Sequence, residues 1–409
     1  MDRIKLNLKW HVDSFLATVE SEWNHGCTKR KAYRALDRAL KIIEGKHAEQ
    51  YTKLWDFSEE VKKTNLGSKV KVKLDRGKFQ GIYVSLGACK EGFKSGCRPL
   101  IRLDVCHLKS VYGGQQLCAV GIDPNDETLV IAYAVVEMEN KSSWIWFLEL
   151  LAVDVGIVNQ GGWRFISDQQ NGLILTFKKV LINSHHRFCM RHLYTNFRKL
   201  FKGKTLKDAL WSIARTTTIA YFKKAIEDMK KLDEKGLRLV GELPAHHWSK
   251  SHFETHPKYD MLLNNLCESF NDVLLILRQK HIVTMLLLIH TLLIMRIQMK
   301  RDIIVNKVGD LCPKIKKKLE EAKIQSGRCI AQWSGGFKFQ VDAGRGEQYV
   351  VDLVEKTCSC RKYALDRNPT QPCNIGHKFQ ERKTGRLCRC LLFEGAALGG
   401  VFSFSNADE

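Results

Sequence analysis

Asp104 in RPLIRLDVCHLK, Asp168 in GWRFISDQQNGL and Glu268 in NNLCESFNDV are acids set inside or beside apolar segments. Carboxylate oxygens are the ligands that hard divalent ions such as Mg²⁺ or Mn²⁺ select. Two such ions held by three carboxylates activate an attacking oxygen and stabilise a leaving one, the chemistry of in-line displacement at phosphorus. Nearer the carboxyl end, Cys358, Cys360, Cys373 and His377 form C-x-C-x12-C-x3-H after the strand-like YVVDLVEKT. Four such donors within 20 residues suit a tetrahedral Zn²⁺. Cys189 and His192 (C-x2-H) add two zinc-type donors but not a closed site; His185, His186, His247 and His252 are the candidates to complete one.

Each of these positions also has a plainer reading. Asp104 lies in an apolar strand, sharing a face with Leu100, Arg102 and Cys106, so its carboxylate needs either a metal or an ion-pair partner such as Arg102. Asp168 follows the strand WRFIS and precedes a helical pattern, where an N-cap role is equally natural. Glu268 projects opposite the apolar stripe of its predicted helix, beside Asn264 and Asn271; such a glutamate is commonly a solvated one. Cys189 and His192 read equally well as a buried thiol and a hydrogen-bonded imidazole.

The elements that must position these residues follow from the apolar pattern. Strands are expected over 100–106, 116–122 and 128–138, the last two joined by the turn signal DPND, then a helix carrying Trp144, Phe147, Leu148 and Leu151 with Ser142 or Ser143 as cap. A strand over 163–167, a helix over 169–180 and a strand over 187–190 complete the set. Residues 1–68 read as a helical arm, about 193–260 as a helical insertion, and 301–346 as a basic, glycine-punctuated linker. The spacing agrees with an insertion before the third acid: 64 residues separate Asp104 from Asp168, and 100 separate Asp168 from Glu268.

Of 409 residues, 66 are Lys or Arg and 44 Asp or Glu, a formal charge of +22. That excess supplies the sequence-independent attraction to phosphates that dominates nucleic-acid binding. The 14 cysteines follow no secreted framework and no signal peptide precedes them, so a reducing compartment is expected. The apolar run IVTMLLLIHTLLIM (282–295), flanked by cations, is 14 residues long; that length suits a core helix, and no membrane partner is expected.

CRPLIRLDVCHLKSVYGGQQLCAVGID (97–123), IAYAVVEMENKSSWIWFLELL (131–151), HHRFCMRHLYTNF (185–197) and HWSKSHFETHPKYDMLLNNLCESFN (247–271) resemble the plant Mutator-like transposases. The resemblance covers about residues 23–377. It implies an α/β fold with an RNase H-like core of mixed sheet and flanking helices over 69–300, and Asp104, Asp168 and Glu268 as an Asp-Asp-Glu triad. It implies a SWIM-type zinc finger over 347–380 built on Cys358, Cys360, Cys373 and His377, followed by a divergent tail over 381–409. Its partners would be double-stranded DNA and a second copy of the chain, its cofactors Zn²⁺ with Mg²⁺ or Mn²⁺, and its compartment the nucleus. The chain departs from the family pattern at Arg102 and Val105, where glycine is usual, at Gln169 and Asn171, which replace two cations, and in the spacing from Cys373 to His377. Those departures leave a second expectation open, a domesticated relative that binds DNA and regulates transcription without catalysis.

Overall fold

A computed structural model describes residues 12–24, 26–44, 47–110, 113–255, 260–264, 267, 270–271, 274–305, 312–344 and 346–365. Four helices come first: α1 (Val12–Trp23), α2 (Lys29–Glu44), α3 (His47–Thr52) and α4 (Leu54–Thr64). Then come β1 (Lys69–Asp75), β2 (Lys78–Ser85), α5 (Gly87–Gly96), β3 (Leu100–His107), β4 (Gln115–Ile122) and β5 (Thr128–Val136). The unit closes with α6 (Lys141–Val155), β6 (Arg164–Ser167), α7 (Asn171–Val180) and β7 (His185–Phe188).

Seven strands form one mixed sheet in the order β1-β2-β5-β4-β3-β6-β7. The run from β1 to β3 across the sheet is antiparallel, whereas β3, β6 and β7 are mutually parallel. In β4 and β5 every residue after the first is buried. Successive side chains point to opposite faces, so both faces of the sheet centre are covered. The succession strand-strand-strand-helix-strand-helix-strand from β3 to β7 follows the expected order, with boundaries displaced by at most two residues. The β1–β2 hairpin adds two strands beyond β5.

Two helix starts differ from expectation. α6 is capped by Asn140, whose side chain accepts from the Ser143 N–H at 2.9 Å while the Ser143 hydroxyl accepts from the Asn140 N–H at 3.0 Å. This reciprocal pair satisfies two amides that the first turn leaves open. α7 starts at Asn171, capped by Gln170, which accepts from the Leu173 N–H at 2.7 Å. Asp168 is therefore outside the helix rather than its cap.

The helical insertion consists of α8 (Met190–Leu200), α9 (Lys204–Arg215), α10 (Ile219–Leu232) and α11 (Glu234–Gly241). It has its own core, with Leu193, Phe197, Leu210, Ile213 and Met229 buried together. α12 (Ile282–Val305) returns to the main core through Met285, Leu286, Ile289 and Leu293. Its segment 282–303 is long and apolar enough to cross a membrane by length and composition alone, yet here that stripe packs on the main sheet's core.

Residues expected as a linker contain α13 (Pro313–Ser326), β8 (Ile330–Trp333) and β9 (Lys338–Asp342). β10 (Gln348–Asp352) and β11 (Thr357–Cys358) complete a four-stranded antiparallel sheet in the order β11-β10-β9-β8, and a short helix α14 (Lys362–Leu365) follows. Alternate residues Phe339, Val341, Tyr349 and Val351 face its small core. Arg361 ties this sheet to the insertion: its guanidinium donates to the carbonyls of Thr217 (3.2 Å), Phe253 (3.0 Å) and Ser251.

Candidate functional site

β3 and β6 pair with Leu100 opposite Arg164, Ile101 opposite Phe165 and Arg102 opposite Ile166. The same offset carried two residues further sets Asp104 beside Asp168. β6 and β7 pair with Ser167 opposite Phe188, and one further step sets Cys189 beside Asp168. The Cys189 N–H donates to the Ser167 carbonyl at 2.7 Å, continuing the ladder that far. Asp104, Asp168 and Cys189 thus make one row across three adjacent parallel strands, toward their carboxyl ends. Neighbours in such a row are separated by the roughly 4.8 Å spacing of strands, and this end of a parallel sheet is where ligand sites form.

Backbone and amide groups aim the two carboxylates. Asp104 Oδ1 accepts from the Val105 N–H at 3.0 Å, and its Oδ2 accepts from Asn271 Nδ2 at 3.0 Å. Asp168 Oδ1 accepts from the Gln170 N–H at 3.4 Å. Asn264, fully buried, donates from Nδ2 to the Leu103 carbonyl at 2.9 Å and from its backbone N–H to Cys189 Sγ at 3.3 Å. Asn264 and Asn271, the polar neighbours of Glu268 in the expected helix, therefore both reach the strand carrying Asp104. Cys267 and Phe270 are buried as the expected apolar stripe requires. Glu268 lies outside the described residues. Arg102, which stands where the resemblance expects glycine, is fully buried and donates to Met261 Sδ at 2.9 Å.

The row has a definite electrostatic character. His192, in the first turn of α8, is pushed up to about 9: its interaction with Cys189 favours the imidazolium, burial opposes it, and the charges of Asp104 and Asp168 add to the rise. His192 therefore senses both acids at once. Glu139, between β5 and α6, is raised above the usual carboxylate range by burial; the Trp144 indole N–H, donating to Oε1 at 3.0 Å, opposes the rise and the charge of Asp168 adds to it. Sequence reasoning missed Glu139, which reads as one polar residue in the loop MEN. The available signal was its place immediately before the Asn140 cap, which fixes it at the mouth of α6.

Among the described residues, no three His, Cys, Asp or Glu side chains form an ion's ligand set. Cys189 and His192 come together, but none of the four candidate histidines joins them. His186 Nε2 pairs with Ser167 Oγ at 2.7 Å, and His247 Nδ1 pairs with the His186 carbonyl. His185 Nε2 is 3.1 Å from Glu254, and His252 Nδ1 is 2.9 Å from Ser251 Oγ. Asp104 and Asp168 present hard oxygen donors of the kind Mg²⁺ or Mn²⁺ takes, at matched register. At the other end of the chain Cys358 on β11 and Cys360 in the next turn are buried with their sulfurs 3.1 Å apart, two soft donors within reach of one ion. Cys373 and His377 lie outside the described residues.

Set against curated proteins, the chain matches none. Residues 100–196 match the MULE transposase domain family, a span that holds Asp104, Asp168, Glu139, Cys189 and His192 and ends before Glu268 and the carboxyl-terminal cysteines. The acid row therefore falls wholly inside the matched segment, and the match supports a transposase of the Mutator-like kind.

Proposed function

We propose that the chain is a Mutator-like DNA transposase that cuts and joins double-stranded DNA by divalent-metal-dependent phosphoryl transfer. One observation carries this reading: Asp104 on β3 and Asp168, one residue past the end of the adjacent parallel strand β6, both lie within the segment that matches the transposase domain, and the β3–β6 register carried two residues past its last pair would bring them side by side. The strand order β5-β4-β3-β6-β7, antiparallel on one side of β3 and parallel on the other, supports an RNase H-like core. Asp104 and Asp168 would hold Mg²⁺ or Mn²⁺, with Glu268 as the third acid. The ions, when bound, supply Lewis-acid stabilisation of the attacking and leaving oxygens.

The chain's own groups keep the acids ready for that task. Asn271 and the Val105 amide each engage one oxygen of Asp104, so the carboxylate is oriented before any ligand arrives. His192, pushed up to about 9, would bring a positive charge that attracts phosphate to the row. Cys358, Cys360, Cys373 and His377 are the proposed zinc ligands of a SWIM-type finger, and the surplus of cations would hold the duplex in a nuclear setting.

The test is nicking of a supercoiled plasmid by the full chain in Mg²⁺ or Mn²⁺. Asp104→Asn should lower the rate on the order of 10³-fold, about 4 kcal/mol of transition-state stabilisation, without loss of plasmid binding. Nicking that persists in Asp104→Asn would sink the acid assignment. Plasmid binding with no nicking by the unmodified chain would instead establish the non-catalytic, DNA-binding reading.

A further inference from the structure

A cavity of about 1200 Å³ opens between the helical insertion and the four-stranded sheet. Each of three helices turns one stripe toward it. α8 contributes Arg191, Tyr194 and Arg198, and α9 contributes Lys207, Trp211 and Arg215. α10 contributes Tyr221 and Lys224. Spacings of three, four and seven or eight residues keep each set on one helix face, while Leu193, Phe197, Leu210 and Ile213 turn inward to the insertion's core. Tyr349 of β10 and Lys362 of α14 face them from the other wall, and the bonds from Arg361 hold the two walls together.

The lining alternates cations with aromatic rings. Six Lys or Arg side chains oppose only Asp208, Asp228 and Glu347, so the field inside is positive. Lys207 Nζ sits 5.6 Å from the Tyr194 ring centre, and the Arg215 guanidinium 5.0 Å from that of Trp211. Tyr221 remains 43% exposed. The Trp211 indole N–H is shielded from solvent with no acceptor among the described residues.

We infer that this cleft binds a single strand of DNA with unpaired bases. Phosphates would lie against the cations and bases against the rings, the pairing of features by which proteins hold single strands without reading sequence. Ordinary small-molecule pockets span roughly 300–1000 Å³, and the cleft exceeds that range. A paired base shows its flat face only to its neighbours in the stack, so rings recessed in a cleft meet bases only where the duplex has opened. The position fits strand handling: α8 carries His192 toward the acid row and Arg191, Tyr194 and Arg198 toward the cleft. A strand leaving the acids along α8 enters it directly. This inference rests on the DNA reading of the acid row.

The test is fluorescence anisotropy with the full chain, a labelled oligo(dT) of about twelve nucleotides and a duplex of equal length. Tyr221→Ala should weaken single-strand binding roughly 5- to 150-fold and leave duplex binding unchanged. Lys207→Ala and Lys224→Ala should each lower the salt slope of single-strand binding by about one. Trp211→Ala should repeat the Tyr221 result, with circular dichroism confirming its fold; the exposed Tyr221 keeps the test decisive if Trp211→Ala unfolds. Single-strand binding that is unchanged in both Tyr221→Ala and Lys224→Ala overturns the cleft assignment, even if plasmid nicking is intact. Tyr221-dependent single-strand binding by a chain that never nicks overturns the acid-row reading alone.

Discussion

The acid row and the thiol pair reach their geometry by opposite routes. Asp104 lies on β3, and Asp168 and Cys189 lie one residue past β6 and β7, so the parallel pairing of these three strands sets their row. Cys358 and Cys360 are two residues apart and meet because β11 ends in a tight turn. A non-local site inherits the stability of the large sheet beneath it. A local site can form from a short segment but has only a small core, Phe339, Val341, Tyr349 and Val351 among its members, to keep it in place. The proposed chemistry would ask for that difference: acids holding catalytic ions need a rigid sheet beneath them, whereas soft donors gathered by a turn would suit an ion that itself supplies folding energy.

Acid should separate the two most. His186 on β7 is held down to about 3 by burial, with His247 adding to the depression, so the folded chain keeps it neutral where the unfolded chain takes a proton at 6.5. The sheet should therefore lose stability as pH falls from 6.5 toward 3, by several kcal/mol at about 1.4 kcal/mol per unit. Melting temperatures of the native chain and His186→Gln across that range should converge at acid pH after starting apart; parallel curves would count against it. The four-stranded sheet, whose described residues include no histidine, should show no such step by hydrogen exchange.

Cys360→Ser probes the other side. Placing a hydroxyl where a fully shielded sulfur packs should cost about 1–3 kcal/mol, and hydrogen exchange should rise in 330–358 while β3 to β7 stay protected. Equal loosening of both sheets would show that they do not respond separately.

Asn271→Ala should slow plasmid nicking about 10-fold, the effect of roughly 1.4 kcal/mol from one charge-assisted hydrogen bond, with melting little changed. A large drop in melting and an unchanged rate per folded molecule would make Asn271 a structural support only. Asn140→Ala, which removes the α6 cap next to Glu139, should cost about 1 kcal/mol and leave the thiol pair's exchange unaltered.

Much of the large sheet was legible in the amino-acid pattern because its strands are apolar runs between strong turn signals. Asp104 and Asp168 stood out by their places in or at the end of those runs. Their alignment was not legible: parallel pairing is set by contacts across 64 residues, and no local pattern reports its offset. The α6 cap was misassigned because Ser142 and Ser143, within three residues of Asn140, also carry a side-chain oxygen able to accept from a first-turn amide. The span 301–346 read as a linker because glycines and lysines punctuate it, yet Lys338–Asp342 already alternates in the manner of a half-buried strand.

The outermost strand β1 reads KVKVKLD, and only its partner β2 bonds to it within the sheet. Such a margin offers unpaired amides and carbonyls to any extended chain that drifts past. Lys71 and Lys73 along it make a second copy's β1 a poor guest, because ammonium groups would be brought against ammonium groups. Sheet-to-sheet aggregation is thus discouraged at this margin, and a productive assembly of two copies would have to form through a different surface.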